Sequence, residues 1–301
     1  SDSVSQPTVV PVILVDQTTG EQQVRYLLYK RGKLIFRDIA CMDCTRILST
    51  AFMEHTGTAV PVVMYHTVQL EHGGLLLMVP NTRSLSSIRK CGVSLLNFLI
   101  ENNRAVPSGQ LRDTFVRSCA FSSVLCLLVG IGDRHLDNIL IKVCSPTGGI
   151  LFHIDFDYLL AEEPVHLQHR QGTVPRLRIT GSIEDALGGS KSHDFEKFRM
   201  LCAQYLRVAQ RYARELYYIL RGNRVGDEQK ITGHLQSWIT AGEASDMDDR
   251  CMQLRIDQVV RQSTRHRTLD TVLDHLHSIS QTARAARDWS LRGWWQNTIN
   301  R

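Results

Sequence analysis

The sequence predicts an α+β fold in two parts, a small β-rich N-terminal region to about residue 80 and a mostly helical remainder. Three observations carry this expectation. Short apolar runs bounded by turn residues crowd the first eighty or so positions. Pro80-Asn81 then breaks the pattern. Beyond it, apolar residues recur at helical spacing over long stretches, interrupted by two strand-like runs at 139–143 and 150–154.

Residues 9–15 read as an apolar strand between Pro7 and the turn-rich Asp16-Gln17-Thr18-Thr19-Gly20. Residues 24–29 and 33–36 read as a hairpin closed around Arg31-Gly32. A helix is predicted over 38–55, with Ile47, Leu48, Ala51 and Phe52 on one face. Residues 60–69 and 75–79 read as two further strands, and the boundary between the two parts falls at Pro80-Asn81. Helices follow over 84–102 and 109–129, and then the two short strands. A long helix over 194–221 buries Phe195, Phe198, Cys202, Tyr205, Leu206, Ala209, Leu216 and Leu220. The polar stretch 222–249 reads as a connection. A last helix over 268–280 repeats Leu269, Val272, Leu273, Leu276 and Ile279.

A chain of 301 residues suits one two-part domain or two small ones, and an apolar fraction of 43% supports a real core. The net charge of +5 favours acidic partners, such as nucleotide phosphates or an anionic membrane surface. No nucleic-acid-binding module is recognisable, so no nucleic acid is expected as a partner. The eight cysteines are scattered. Cys41 and Cys44 form one CxxC with no second pair, which argues against zinc, and Cys119 and Cys126 read as small buried hydrophobes. With no signal-peptide pattern, the chain is expected in the reducing cytoplasm. Its longest apolar run, 124–131, is too short to span a bilayer. A start at Ser1 rather than Met fits a fragment of a longer protein.

The most informative stretch is Gly130 to Leu140, GIGDRHLDNIL, followed by His153-Ile154-Asp155-Phe156-Asp157. Asp133 and Asn138 stand five positions apart, as do the base Asp and the metal-binding Asn of a protein-kinase catalytic loop. Phosphoryl transfer needs held metal ions, a group to take a hydroxyl proton, and charge neutralisation around phosphates. Asn138 and Asp155 are oxygen donors suited to Mg2+. Asp133 can accept the proton of an attacking hydroxyl.

The order Asp-Arg-His, the inverse of the usual His-Arg-Asp, resembles the phosphatidylinositol 3-/4-kinase superfamily. GDRHLDN is most similar to the class III phosphatidylinositol 3-kinases, as is Phe115-Val116-Arg117-Ser118-Cys119-Ala120 before it. Leu187-Gly188-Gly189 followed by Phe195-Glu196-Lys197-Phe198-Arg199 resembles their segment beyond the activation loop. Thr173-Val174-Pro175-Arg176-Leu177 instead resembles class I lipid kinases and related protein kinases. The resemblance implies a bilobal kinase-like fold, with a small β-rich N-lobe over 1–80 and a mostly helical C-lobe over 81–301. ATP and Mg2+ or Mn2+ would bind between them.

It also implies site roles. Asp133 orients or deprotonates the substrate hydroxyl, and His135 shares the proton transfer or stabilises charge near the γ-phosphate. Arg134 braces the loop, and Asn138 and Asp155 hold the metal. Arg37 falls where the family carries the Lys that contacts nucleotide phosphates, and Asp43 where it carries the Asp that pairs with that Lys. Leu77, Met78 and Val79 form the hinge that offers backbone groups to adenine. Two departures stand out. Arg replaces Lys at position 37, which is not a conservative swap. Asp157 stands where the family has Gly, in a backbone region that Gly enters at less cost.

The segment after Asp155 selects the substrate in this superfamily. Here it carries Arg170 and Arg176 but no dense Lys run, which suits a headgroup with a single phosphodiester, plain phosphatidylinositol. The C-terminal cations and the aromatic residues Trp289, Trp294 and Trp295 suit a helix lying in a membrane interface, with a packed helix as the alternative. The resemblance therefore implies a lipid kinase acting on the inositol ring, at the 3-hydroxyl. Such an enzyme is cytoplasmic, peripheral on membranes, and open to a regulatory subunit. Two alternatives stay open: a Ser/Thr protein kinase of the related family, and a pseudokinase binding module on the same fold.

Overall fold

The computed structural model describes residues 7–31, 35–143, 146–164, 177–238 and 249–265. The N-terminal part is a four-stranded antiparallel sheet in the order β1-β2-β4-β3, built from β1 (Thr8–Val15), β2 (Gln22–Arg31), β3 (Thr67–Leu70) and β4 (Gly73–Leu77). The first hairpin closes at the Asp16 turn, where Thr18 and Thr19 backbone N–H groups donate to Asp16 Oδ1 at 2.7 and 2.9 Å. Residues 24–29 therefore pair with β1, and of the strand predicted over 33–36 only residues 35 and 36 are described.

Residues 35 and 36 open a helix instead, α1 (Ile35–Thr56). A short apolar run does not distinguish strand from helix. Here Ile35 is fully buried against Gly74 of β4, where any side chain on the strand would collide with it. The same helix reaches the helical part. Phe52 stacks on Tyr205, with ring centroids 4.5 Å apart and planes 4° from parallel, and meets Phe121 edge-on at 5.7 Å.

A second, three-stranded sheet, β5-β6-β7, consists of β5 (Thr82–Ser84), β6 (Ile139–Lys142) and β7 (Ile150–His153). The helix predicted over 84–102 is two helices, α2 (Leu85–Lys90) and α3 (Leu95–Asn102). Gly92 takes φ +70° between them, and Ser84 and Ser94 hydroxyls cap the two N-termini. The buried helix α4 (Ser108–Val129) follows, and then α5 (Gly181–Ala186).

The long helix predicted over 194–221 is also split, into α6 (His193–Gln210) and α7 (Ala213–Gly222), each with a buried stripe. The polar connection predicted over 222–249 contains α8 (Glu228–Trp238), which buries Ile231, Leu235 and Trp238 at helical spacing. α9 (Asp249–Arg265) closes the described chain. The helix predicted over 268–280 lies outside the described residues. A β-sheet N-terminal part and a helical remainder are the α+β fold expected of a kinase-like chain. Among the described residues, no helix is long and apolar enough to cross a membrane.

Candidate active site

The turn that carries Asp133, His135 and Asn138, the proposed catalytic turn, hangs between a buried helix end and a sheet. α4 stops at Gly130, whose φ of +65° puts its N–H on Cys126 O. The turn returns to β6 at Ile139. Its path is fixed by the segment that follows β7. Gly132 N donates to Tyr158 O, Leu160 N to Val129 O and Ala161 N to Gly130 O, each at 2.9 Å. The two backbones lie so close that a Cβ on Gly132 would stand 2.0 Å from Glu162 O. Only glycine fits there without a backbone shift.

Arg134 braces the turn, as expected. Its buried guanidinium donates to the carbonyls of Gly132 at 2.7 Å, Ile154 at 2.8 Å and Asp155. One planar fork thereby ties the turn to the end of β7. Asp133 sits at φ +53° and Asp155 at φ +60°, conformations that cost a non-glycine residue energy and concentrate at functional sites. Asp133 N donates to Glu163 Oε2 at 3.0 Å. Burial, with Asp133 nearby, pushes the Glu163 carboxyl above its usual range despite that bond. His135 Nε2 is 3.8 Å from Asp133 Oδ2 in a buried setting. The two proposed proton-handling groups are thus brought together.

Asn138 Nδ2 donates to Asp133 O at 3.1 Å, and Asn138 O accepts from Ile154 N at 3.2 Å. These bonds set Asn138 beside the strand end that carries Asp155. One amide oxygen and one carboxylate fit Mg2+ or Mn2+, whose remaining positions are filled by phosphate oxygens and water. Among the described residues no group of three His, Cys, Asp or Glu is placed to hold a metal ion. His153 is packed, as expected. Burial and the Arg134 charge push its ring down to about 3, so it is neutral.

Asp155 is paired with Lys30, next to the last residue of β2. Its Nζ is 2.9 Å from Asp155 Oδ1 and 3.9 Å from Asp38 Oδ2. Burial opposes the Lys30 charge, but the carboxylates of Asp38, Asp155 and Asp157 outweigh it and hold the ammonium above its ordinary range. Asp38, in the first turn of α1, is 1% exposed and also accepts from Tyr65 OH at 2.8 Å. Burial pushes its carboxyl up to about 6, against the pull of Lys30.

This geometry corrects two positions read from the sequence. Arg37 does not face Asp43. Its guanidinium donates to Asp157 O and, at 2.9 Å, to Glu162 Oε2. Asp43 pairs instead with Arg46, one helical turn on, at 2.9 Å. The reason is the helix start. Because α1 begins at Ile35, Asp38 faces the sheet and Asp43 points away from Lys30. The Lys–Asp pair expected of Arg37 and Asp43 is filled by Lys30 and Asp38, which the sequence reading missed. The available signal was a lysine near the end of β2, followed eight positions on by an aspartate in the first turn of α1.

Leu77, Met78 and Val79 lie where β4 leaves the first sheet for β5. Leu77 N donates to His66 O at 2.8 Å and Met78 N to Tyr26 O at 2.9 Å. Arg170, Arg176, Trp289, Trp294 and Trp295 lie outside the described residues. Cys41 and Cys44 are buried on α1, where burial drives both thiols up, so the CxxC behaves as packing.

Comparison with known proteins places the chain in a family. The chain is 27% identical over 289 residues to the phosphatidylinositol 3-kinase VPS34 of Saccharomyces cerevisiae, an alignment covering 93% of this chain and 32% of that protein. It is 30% identical over 215 residues to the nodule isoform of phosphatidylinositol 3-kinase from Glycine max, covering 67% of this chain and 24% of that protein. For VPS34 of Arabidopsis thaliana the identity is 26% over 226 residues, covering 72% and 26%. The chain thus spans a third or less of the length of these relatives. The family model for phosphatidylinositol 3- and 4-kinase matches residues 21–222, a stretch holding Lys30, Asp38, the catalytic turn and Asp155 alike, and the chain belongs to that family.

Proposed function

We propose that this chain is the catalytic region of a lipid kinase, moving the γ-phosphate of ATP to the inositol ring of phosphatidylinositol at a membrane surface. The 3-hydroxyl is the proposed acceptor, in line with the names of its relatives. The observation that carries the reading is the convergence of Lys30 on Asp155 beside the Asp133–Asn138 turn.

Each group has a task in such a site. Asp133 takes the proton of the inositol hydroxyl, and His135, 3.8 Å away, shares or stabilises that charge. Lys30 neutralises phosphate oxygens. Asp38 and Tyr65 hold Lys30 in place from behind. Asn138 and Asp155 would hold Mg2+ or Mn2+, which supplies charge neutralisation to the transferring phosphoryl group when bound. Arg134 keeps these two ligands in register with Asp133. The hinge at Leu77, Met78 and Val79 is the proposed adenine contact, and the division near residue 80 separates the lobes that close on ATP. Arg170 and Arg176 are the proposed headgroup contacts, and Trp289, Trp294 and Trp295 the proposed membrane contacts. The proposed setting is cytoplasmic and peripheral on membranes, with a regulatory subunit as a possible protein partner.

The pseudokinase reading rested on Arg37, on Asp157 and on a lysine-poor segment near Ser5; Lys30, 2.9 Å from Asp155, weighs against the first of these. The test is transfer of labelled γ-phosphate to phosphatidylinositol vesicles, with a peptide substrate in parallel and chromatography of the product. Labelled 3-phosphate lipid, lost in Asp133→Asn and Asp155→Asn, supports the reading. Label on peptide alone overturns it in favour of a protein kinase.

A further inference from the structure

We infer that Arg37 is a positioning residue, which bridges α1 through Glu162 to Lys230 and thereby holds the segment after β7 against the catalytic turn. The inference rests on the roles proposed above for Asp133 and Asp155. Arg37 and Asp38 are neighbours in the first turn of α1 but face different groups. Asp38 faces Lys30. Arg37, with a side chain only 16% exposed, donates to Asp157 O and to Glu162 Oε2. The other Glu162 oxygen accepts from Lys230 Nζ on α8. Burial works against the Glu162 charge, yet the two cations hold its carboxyl below the usual range.

The bridge acts on the catalytic turn over a short path. Residues 158, 160 and 161 are bonded to the backbone of 129–132, and Glu162 O lies against Gly132. The next residue, Glu163, accepts the Asp133 backbone N–H. The bridged carboxylate and the group that holds the proposed base are therefore on consecutive residues. An isolated exposed ion pair would carry little. This one joins three elements, and its arginine also grips a main-chain carbonyl. Because one helical turn carries both Arg37 and Asp38, a single position of α1 sets the phosphate-facing lysine and the catalytic turn together.

The test compares the full chain with its Arg37→Ala, Arg37→Lys and Glu162→Gln variants in three readouts. These are kcat and KM for ATP in lipid phosphorylation, hydrogen exchange of residues 157–163, and the thermal midpoint. Arg37→Ala and Glu162→Gln are expected to lower kcat about tenfold with KM for ATP within about twofold, and to speed exchange at 158–163. Arg37→Lys is expected to recover part of the loss, because one ammonium cannot reproduce the fork. A raised KM for ATP at unchanged kcat overturns the inference and returns Arg37 to the nucleotide site. Unchanged kcat with unchanged exchange overturns it as well. If the wild-type chain labels no lipid, the proposed function has failed, and the exchange measurement alone decides the bridge.

Discussion

Lys30 Nζ and Asp155 Oδ1 stand 2.9 Å apart although 125 positions separate them in the chain. The contact joins the last residues of the second strand to the end of β7, and so ties the N-terminal sheet to the catalytic turn. Asp38 and Tyr65 extend it into the core as one polar chain, Tyr65 OH to Asp38 to Lys30 to Asp155. Such a chain is costly to break from either end, since each remaining member is left buried with fewer partners.

Lys30→Met removes the cation while leaving the Asp38 side chain 2% exposed. Loss of one partner from a buried pair is expected to cost about 3 kcal/mol of unfolding free energy. Urea denaturation at pH 8, where Asp38 is ionised, measures it. A loss near zero would mean that water already serves Asp38.

The pH dependence of stability carries a second signature. The folded Asp38 carboxyl sits at about 6, above its ordinary 3.8. Between those values the folded chain holds a proton that the unfolded chain has released. Linkage then makes this group's contribution favour the fold at low pH and fade as pH rises from about 4 to about 6. Asp38→Asn should lack that component. Its stability relative to wild type should therefore climb over this window, as read from denaturation midpoints at pH 4, 5, 6 and 7. A flat difference between the two proteins would contradict the assignment.

Gly132→Ala would place a Cβ 2.0 Å from Glu162 O, an atom of the main chain that cannot rotate away. Separating the two backbones is expected to cost about 2 kcal/mol and to lower kcat. Gly233→Ala serves as the control, because a Cβ there meets nothing within 4 Å.

Arg134→Lys keeps the charge but can satisfy one or two of the three carbonyls that the guanidinium now bridges. The expected result is a fall in kcat of about tenfold or more at little change in net charge. Steady-state kinetics at saturating ATP would show it, and an unchanged kcat would remove Arg134 from the positioning role.

The catalytic turn was legible because its residues are close in sequence. Asp133, His135 and Asn138 lie within six positions, and Asp155 follows one strand later, so spacing alone orders them. The Lys30–Asp38 pair was not. It depends on where α1 starts, and Leu34-Ile35-Phe36 is an apolar run that suits strand or helix equally. Reading it as a strand displaced the helix and passed the roles of Lys30 and Asp38 to Arg37 and Asp43. Helix breaks were missed for a similar reason. Arg211 and Tyr212 interrupt a continuous apolar stripe with neither Gly nor Pro to mark them. α8 was hidden by its polar composition, although Ile231, Leu235 and Trp238 already stood four and three positions apart.

The most direct measurement is transfer of labelled γ-phosphate from ATP to phosphatidylinositol vesicles by the wild-type, Lys30→Met and Asp155→Asn chains. The geometry predicts labelled lipid from wild type and a loss of at least about a hundredfold in each variant. Absence of label from folded wild-type protein with Mg2+ and Mn2+ both tried, or full activity in Lys30→Met, would contradict it.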